Sequence, residues 1–577
     1  MSFDVIAASR LEQRKTTPWR LVVNSGLQMG GVGIALAFVG ILSMFNKRPI
    51  IVDLVTLGYA TLGLLFFLSG VFVGVKRPFA TLSRMMLGGV VAGTIAAALV
   101  AILPTVMSFY SLRFIFIALD KPLFDMLTFS ALPPAMGVVY LIGLGALLGF
   151  LGMLLVSLPA RYRRPLSGGV IAVGLAGLFQ ELVRPILANS SVTKPLHDLL
   201  YTYTGLTLRG AFIIFCITAA YFVIRNMTGD RTAAAYGRLG PSGQRTFRWT
   251  FLLAAAILAI LFPLYAGNFI GQVLLMVGLF ILMGMGLNLE VGIAGLLDLG
   301  FVAFYAVGAY TTALLTADSP FALANLTYWQ AMPLAVLASV IVGIIFGIPV
   351  LKVRGDYLAV ATLGLGEIVR VIVLSDAAAP LLAGAQGVLQ IPRPQIGDLE
   401  LKTPVSLFYL TLVAAAVAAY VAWRLEESRL GRAWKAIRDD EDVAQALGIN
   451  LIKVKLLAYG LGAAFAGLAG SIFATMLGSI YPHSFQLIIS INILALIIVG
   501  GMGSLPGVAV GALVLIGLPE ALREFGEFRF LFYGLAIIAV MRLKPEGLWP
   551  SAAKRREMQI DAETAAVQSG AIVEPKT

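Results

Sequence analysis

The longest strongly charged stretch of the chain, residues 424–455, reads RLEESRLGRAWKAIRDDEDVAQALGINLIKVK. Long apolar runs lie on both sides of it. A charged side chain at the centre of a bilayer costs about 2.5 to 3.5 kcal/mol even on a lenient insertion scale, so this stretch lies outside the lipid. The sequence therefore predicts a polar loop between membrane helices.

The middle of this loop, residues 432–447, contains few helix breakers. Apolar residues recur there at roughly three- to four-residue spacing, at Trp434, Ile437, Val443 and Leu447. This spacing predicts one short amphipathic helix that offers an apolar stripe to a partner and charges to the rim. The alternative is a solvated helix on the membrane surface.

Composition determines the fold class. Of the 577 residues, 59% are hydrophobic and 12% are charged, whereas a soluble domain has roughly 25% charged residues. Apolar runs of about 18 or more residues are long enough to cross a hydrocarbon core about 30 Å thick. Because lipid satisfies no backbone hydrogen bonds, such runs form helices. We expect an all-α polytopic membrane protein with about 16 transmembrane helices.

Several classes of function are excluded on composition. The formal net charge is +12, but the basic residues form short clusters between apolar runs, as the positive-inside rule describes, and this argues against nucleic-acid binding. The single Cys216 excludes an internal disulfide. The two histidines, His197 and His483, lie far apart in the sequence without ligand-like neighbours, so we expect no metal site.

The amino-terminal membrane region, residues 1–225, contains about six apolar runs and no motif that names a chemistry. Basic residues before the first run, among them Arg10 and Arg14, predict a cytoplasmic amino terminus. We expect these helices to pack around a core. The polar residues 226–248 predict a cytoplasmic linker and the domain boundary.

The carboxy-terminal core, residues 249–550, contains about ten apolar runs, with the charged loop 425–452 on the cytoplasmic side. Short runs around residues 500–507 fit either spanning or re-entrant helices. The polar tail, residues 551–577, lacks apolar periodicity and is expected to be a disordered cytoplasmic end.

Four segments of this core resemble the LivM family, the branched-chain amino acid permeases of ABC transporters. They are GLNLEVGIAGLLDLGFVAFYAVGAY (286–310), KVRGDYLAVATLGLGEIVR (352–370), the loop segment 431–450 and IVGGMGS (498–504). The resemblance covers residues 250–550 approximately. It does not extend to the first 225 residues.

The resemblance implies the rest of a transport machine. A LivM-like permease works with a second, LivH-like permease subunit, two cytoplasmic ATPase subunits and an external substrate-binding protein, in the inner membrane of a bacterium. ATP is bound by the partner subunits, so no cofactor and no catalytic residue are expected on this chain. In agreement, the sequence contains no G-x-x-x-x-G-K-S/T phosphate loop. Both termini are expected in the cytoplasm.

A second resemblance concerns the charged loop. Asp442, Val443 and Ala444, followed by three residues and Gly448, resemble the acidic-Ala-Ala and glycine pattern of the coupling helix that ABC-importer permeases seat on their ATPase. Val443 replaces an alanine here, and no Leu-Pro closes the motif. The candidate ATPase-coupling residues are Arg432, Trp434, Asp442, Ala444, Leu447 and Gly448.

Charged residues within apolar runs are candidates for the translocation path. Glu367 and Arg370 lie three residues apart on one helical face. Facing lipid, the pair would cost about 5 to 7 kcal/mol, more than the apolar residues of its run return, so we expect it to face protein or water. It either lines the path or fixes helix packing. The same two interpretations apply to Glu290, Asp298 and Asn492.

Three alternative functions are left open by the sequence. An ABC permease of this family for urea or short amides would share the fold. An ion-coupled secondary transporter would need symmetry-related halves with broken helices, and the two parts of this chain do not resemble each other in sequence. A membrane scaffold gives no reason for the charged loop.

Overall fold

A computed structural model describes residues 18–76, 81–110, 112–191, 193–238, 240–350, 353, 356–551, 554–558 and 560. The chain divides into two compact units, Met1–Ala259 and Ile260–Thr577. The basic residues Arg10 and Arg14 and most of the tail 551–577, which carry predictions made above, lie outside the described residues.

Helices dominate both units. Among the described residues, eleven helices are long and apolar enough to cross a membrane, or twelve if the bent pair Ala160–Leu178 and Gln180–Ala188 forms one span. This confirms an all-α polytopic membrane protein, but the count of about 16 spanning helices is not confirmed. The difference arises because some apolar runs form short helices, such as Val302–Thr316 and Leu505–Ala521.

The first unit contains eleven helices within its described residues, the last of which continues into the second unit. They are α1 (Pro18–Val39), α2 (Ile41–Asn46), α3 (Leu57–Lys76), α4 (Leu82–Phe109), α5 (Lys121–Leu127), α6 (Pro134–Ser157), α7 (Ala160–Leu178), α8 (Gln180–Ala188), α9 (Lys194–Leu200), α10 (Leu208–Arg238) and α11 (Pro241–Ala266). Strands β1 (Pro49–Ile51) and β2 (Val55–Thr56) form an antiparallel hairpin.

Helices α1, α3, α4 and α6 pack together as the centre of the first unit. Small residues bring their backbones close, since a Cβ added at Gly93 would lie 2.0 Å from the carbonyl oxygen of Gly145. Phe66 and Val100 are fully buried beside this contact. The predicted linker 226–248 is helical here, in α10 up to Arg238 and again from Pro241 in α11.

The described residues of the second unit form thirteen further helices. They are α12 (Asn268–Leu287), α13 (Val302–Thr316), α14 (Tyr328–Val350), α15 (Asp356–Leu374), α16 (Ala379–Leu382), α17 (Pro404–Glu427), α18 (Arg429–Asp439), α19 (Glu441–Ala446), α20 (Leu451–Leu477), α21 (Leu487–Gly500), α22 (Leu505–Ala512), α23 (Leu518–Ala521) and α24 (Arg529–Leu543). Strands β3 (Gln395–Ile396) and β4 (Leu399–Glu400) pair antiparallel. The described residues also form four short 3₁₀ turns, Leu112–Phe114, Gly384–Gln386, Pro482–Ser484 and Arg523–Phe528.

Helix α20 lies at the centre of the second unit and packs against α12, α13 and α14. Its 27 residues extend about 40 Å at 1.5 Å per residue, enough to cross a bilayer. The contact with α13 is made by small residues, because a Cβ at Gly308 would lie 2.4 Å from the carbonyl oxygen of Gly467. The second unit is therefore built around one deeply buried helix.

Two π-helical turns, Asn288–Ile293 and Leu513–Gly517, interrupt the regular packing of this unit. The first turn continues α12, and the chain then stays non-helical until α13 begins at Val302. The apolar run near residues 296–316 is therefore helical only from Val302 onwards. Gly295 has φ of +75°, a left-handed conformation that ends the helix and favours glycine.

Candidate functional site

The charged loop forms two helices rather than the predicted one. Helix α18 ends at Asp439, and α19 begins at Glu441. Asp440 between them is extended, and its Oδ1 accepts hydrogen bonds from the backbone N–H groups of Asp442 and Val443, each at 2.9 Å. The prediction of a single helix over residues 432–447 is wrong because aspartate caps a new helix well.

Helix α18 is attached to the spans of its own chain. Trp434 is fully buried, and its Nε1 donates to the carbonyl oxygen of Val454 on α20 at 2.8 Å. Ile437 is also buried. Lys455 on α20 donates from Nζ to Glu441 Oε1 at 2.6 Å, which attaches the start of α19 as well. Half of the predicted apolar stripe therefore packs inside the chain.

The other half of the stripe is exposed. Leu447 is 76% exposed and Val443 is 55% exposed, whereas Ala444 is buried under them. Gly448 has φ of +88° and ends α19 in the left-handed conformation typical of a helix carboxyl end. The exposed apolar side chains Val443, Leu447 and Ile452 lie between residues 443 and 452, next to the exposed Asp442 in the sequence, and are called the apolar tip of the loop.

Arg432 and Arg438 lie on the same helix but have different contacts. Arg432 is exposed and donates from Nη1 to the carbonyl oxygen of Glu427 at 3.1 Å. Arg438 donates from Nη1 to the carbonyl oxygen of Gly292 in the first π-helical turn. Its side chain also packs on Gly295, where an added Cβ would lie 2.9 Å from Arg438 Cγ. Sequence reasoning did not select Arg438, because nothing in the loop distinguishes it from its charged neighbours.

The first π-helical turn has a second attachment. Asn288 Oδ1 accepts a hydrogen bond from the backbone N–H of Gly503 at 2.8 Å. Gly503 belongs to the turn that joins α21 to α22. The π-helical turn is therefore held on one side by the loop, through Arg438, and on the other side by this glycine-rich turn.

Glu290 and Asp298 lie beside that turn and are buried, at 0% and 1% exposure. Asp298 Oδ1 accepts from the backbone N–H of Gly300 at 2.6 Å. Glu290 packs against Gly462 of α20, where an added Cβ would lie 1.7 Å from Oε1. A buried charge is costly without a partner, so these two carboxyl groups are an expensive feature of the core of this unit.

The remaining candidates differ in exposure. Arg370 donates from Nε to both carboxylate oxygens of Glu367 at 3.0 Å, in a bidentate ion pair on α15 whose side chains are 31% and 45% exposed. Asn492 Oδ1 accepts from Tyr533 Oη at 3.2 Å and joins α21 to α24. In the described ranges, no group of three His, Cys, Asp or Glu side chains is arranged to hold a metal ion.

Comparison with known proteins gives this geometry a family. Residues 269–541 match the family described as branched-chain amino acid transport system, permease component. The chain is 36% identical over 323 residues to the high-affinity branched-chain amino acid transport system permease protein LivM of Salmonella typhimurium, an alignment of 52% of this chain and 74% of that protein.

More distant relatives also align with about half of the chain. It is 23% identical over 334 residues to the probable branched-chain amino acid transport permease protein LivM of Methanocaldococcus jannaschii, covering 49% of this chain and 94% of that protein. It is 24% identical over 283 residues to the permease protein LivH of Escherichia coli, covering 46% of this chain and 90% of that protein. No solved structure matches the chain.

Proposed function

This chain belongs to the LivM family of branched-chain amino acid transport permeases, and from that premise we propose that it works in an ATP-driven importer for branched-chain amino acids. A second, LivH-like permease completes the translocation path, two cytoplasmic ATPases supply the energy, and an external binding protein delivers the substrate. The chain lies in a bacterial inner membrane with both termini in the cytoplasm. It has no ATPase site of its own.

The observation that supports ATP-driven transport is that one half of the charged loop is buried against its own chain and the other half is exposed. The apolar tip, Val443, Leu447 and Ile452, is exposed to water although it lies on an otherwise charged segment. Exposed apolar side chains at the end of a rigid support are suited to insertion into a groove of a partner. We assign this tip to ATPase docking, with Asp442 at its edge.

The support for the tip suggests how movement is transmitted. Trp434 and the Lys455 to Glu441 ion pair attach the loop to α20, the central helix of the unit. Arg438 attaches it to the π-helical turn that follows α12. Displacement of the docked tip by ATPase closure would therefore move the ends of two spans together. A flexible loop without these contacts would absorb the displacement instead.

Docking is tested by purification of the tagged chain after co-expression with its LivH-like permease and the ATPases. We expect the wild-type chain to recover the second permease and both ATPases. Leu447→Asp should lose the ATPases and keep the second permease, because it places a charge in the centre of the apolar tip. Leu543→Asp is the matched control, since Leu543 is equally exposed, at 79%, at the end of α24.

The substrate is tested with the reconstituted complex in liposomes. Uptake of labelled leucine that needs ATP and the binding protein supports the proposal, whereas uptake of urea and not of leucine would identify an amide permease. Recovery of the chain without any ATPase, in a detergent that preserves other importers, contradicts the ATP-driven importer. ATPases that remain bound to Leu447→Asp contradict the assigned docking surface.

A further inference from the structure

An ion pair lies part-exposed in the carboxy-terminal half of an apolar helix. Glu367 and Arg370 are on α15, within the candidate span Tyr357–Leu374. Both side chains keep a substantial exposed fraction on the surface of this unit. Contact with lipid would be costly for each of the two charges. The pair therefore faces a polar ligand, water or another protein subunit.

A narrow cleft adjoins the arginine. Its wall is formed by α13, α15 and the turn before α21, and its lining includes Val302, Ala306, Tyr310, Arg370, Val373 and Phe485. Tyr310 is buried, and its hydroxyl has no hydrogen-bond partner among the described residues. A buried hydroxyl without a partner is costly, so a polar group that enters the cleft would be stabilised there.

We infer that the Glu367 and Arg370 pair and this cleft are the receiving site for the zwitterionic amino acid on the translocation path. The inference rests on the function proposed above and deepens it, because it names the groups that recognise the substrate. Arg370 donates to the α-carboxylate, Glu367 accepts from the α-ammonium, and the apolar wall contacts the branched side chain. Tyr310 donates to the carboxylate from the other side of the cleft.

The chemistry favours an amino acid over a neutral amide. A bidentate ion pair offers a fixed positive and a fixed negative group side by side, which matches the two charges of a zwitterion. When the substrate binds, the ion pair between Glu367 and Arg370 is replaced by two ion pairs, one between Arg370 and the α-carboxylate and one between Glu367 and the α-ammonium. Both protein charges therefore stay neutralised. A neutral substrate such as urea would have to interrupt the pair without compensating either charge.

The position of the cleft agrees with a receiving role. With the charged loop in the cytoplasm, as proposed above, α17 runs inward and α15, the span before it, runs outward. Arg370 then lies toward the extracytoplasmic end of α15, and Phe485 follows the outer end of α20. The cleft holds about 10 Å³, room for about one water molecule. A leucine would therefore enter only if α13 and α15 separate.

The test uses the complete importer in lipid nanodiscs and a photoactivatable leucine that carries a diazirine, delivered by the binding protein. After illumination, mass spectrometry should find adducts on the cleft wall, chiefly on α13 and α15. Excess leucine should suppress the adducts. Equal concentrations of 3-methylbutylamine and 4-methylpentanoate, each of which lacks one charge, should not.

Variants separate recognition from packing. Glu367→Gln, Arg370→Gln and the double variant should each lower cleft labelling and leucine uptake by about tenfold or more, the effect of losing one charge-assisted hydrogen bond. Tyr310→Phe should lower labelling several-fold. Glu520→Gln is the matched control, since Glu520 forms a similar pair with Arg523 at 3.7 Å and should leave labelling unchanged.

The outcomes distinguish this inference from the function on which it rests. If the wild-type complex shows no ATP hydrolysis stimulated by the loaded binding protein, the importer proposal fails and the inference fails with it. If the wild type transports leucine and the Glu367→Gln/Arg370→Gln double variant transports and labels within twofold of it, the inference alone is overturned. Adducts confined to other helices overturn it as well.

Discussion

The two units of the chain bury different kinds of side chain. Among the described residues of Met1–Ala259, the buried polar residues are all uncharged, namely Ser25, Ser69, Thr128 and Gln180. In Ile260–Thr577 the buried residues include Glu290, Asp298 and Lys455. Charges are expensive inside a membrane protein, so they persist mainly where they serve a function.

The backbone shows the same contrast. In the described part of the first unit, no π-helical turn occurs, whereas the second unit contains Asn288–Ile293 and Leu513–Gly517. Such turns are frequent at functional sites because they free backbone groups for other partners. The first π-helical turn uses this freedom to bind Arg438. In the importer proposed above, we therefore assign the moving parts to the second unit and a supporting role to the first.

The largest loss of stability is expected at the close backbone contacts between helices, which occur in both units. Gly93→Val in the first unit and Gly308→Val in the second should each destabilise the protein by about 3 kcal/mol or more, because the side chain meets a carbonyl oxygen that cannot move away. Thermal unfolding in detergent measures this. Gly143→Val is the control, since an added Cβ there meets nothing within 4 Å; equal melting temperatures for Gly93→Val and this control would contradict the packing.

The next effect concerns the buried ion pair. Lys455→Met should lower the free energy of unfolding by about 2 to 3 kcal/mol, because it removes the buried cation that pairs with the partly exposed Glu441. The double variant Lys455→Met/Glu441→Gln should recover most of the loss. Thermal melts of the three proteins check this. A single variant as stable as the wild type would show that the pair contributes nothing to the second unit.

Arg438 provides a test of transmission. Arg438→Gln should lower ATP-driven leucine uptake by about tenfold, since it weakens one hydrogen bond from a charged donor to the π-helical turn. ATPase binding should persist, because the apolar tip is untouched. Lys435→Gln, which affects only an exposed pair with Glu426 at 3.0 Å, is the control. Uptake that falls equally in both variants would indicate a general effect of charge on the loop.

The smallest effect is expected from a hydrogen bond in the first unit. Ser25 Oγ donates to the carbonyl oxygen of Ser69 at 2.9 Å inside the helix packing. Ser25→Ala should therefore cost about 1 kcal/mol of stability and leave transport unchanged. Ser108→Ala, at an exposed serine on α4, should cost nothing measurable. A loss of transport in Ser25→Ala would contradict the interpretation of the first unit as a regular helix packing without moving parts.

Sequence patterns predicted the long spans well and the irregular segments poorly. Apolar length alone places α4, α6 and α20, because a buried or lipid-facing helix needs only a sufficient run of apolar residues. The apolar runs did not indicate where α13 starts, and the spacing of apolar residues did not predict the break at Asp440. Each of these depends on a single backbone conformation or cap. Hydrophobic periodicity is nearly unaffected by such local events.

The candidate residues divide in the same way. Trp434 and Leu447 share one predicted stripe, yet the first is buried and the second is exposed, because the break at Asp440 gives α18 and α19 separate surroundings. Arg438 and Tyr310 were not selected at all. Their roles depend on a carbonyl oxygen and on cleft neighbours that are distant in the sequence.

The sequence by itself determined the membrane class, the family and the position of the charged loop, because hydropathy, charge and short motifs are local properties of the chain. Only the tertiary structure decided which charges are buried, which half of the loop is free to dock and which side chains share the cleft beside Arg370. These depend on contacts between helices far apart in the chain, and such contacts are selected by packing and by the high cost of leaving a polar group without a partner in the membrane.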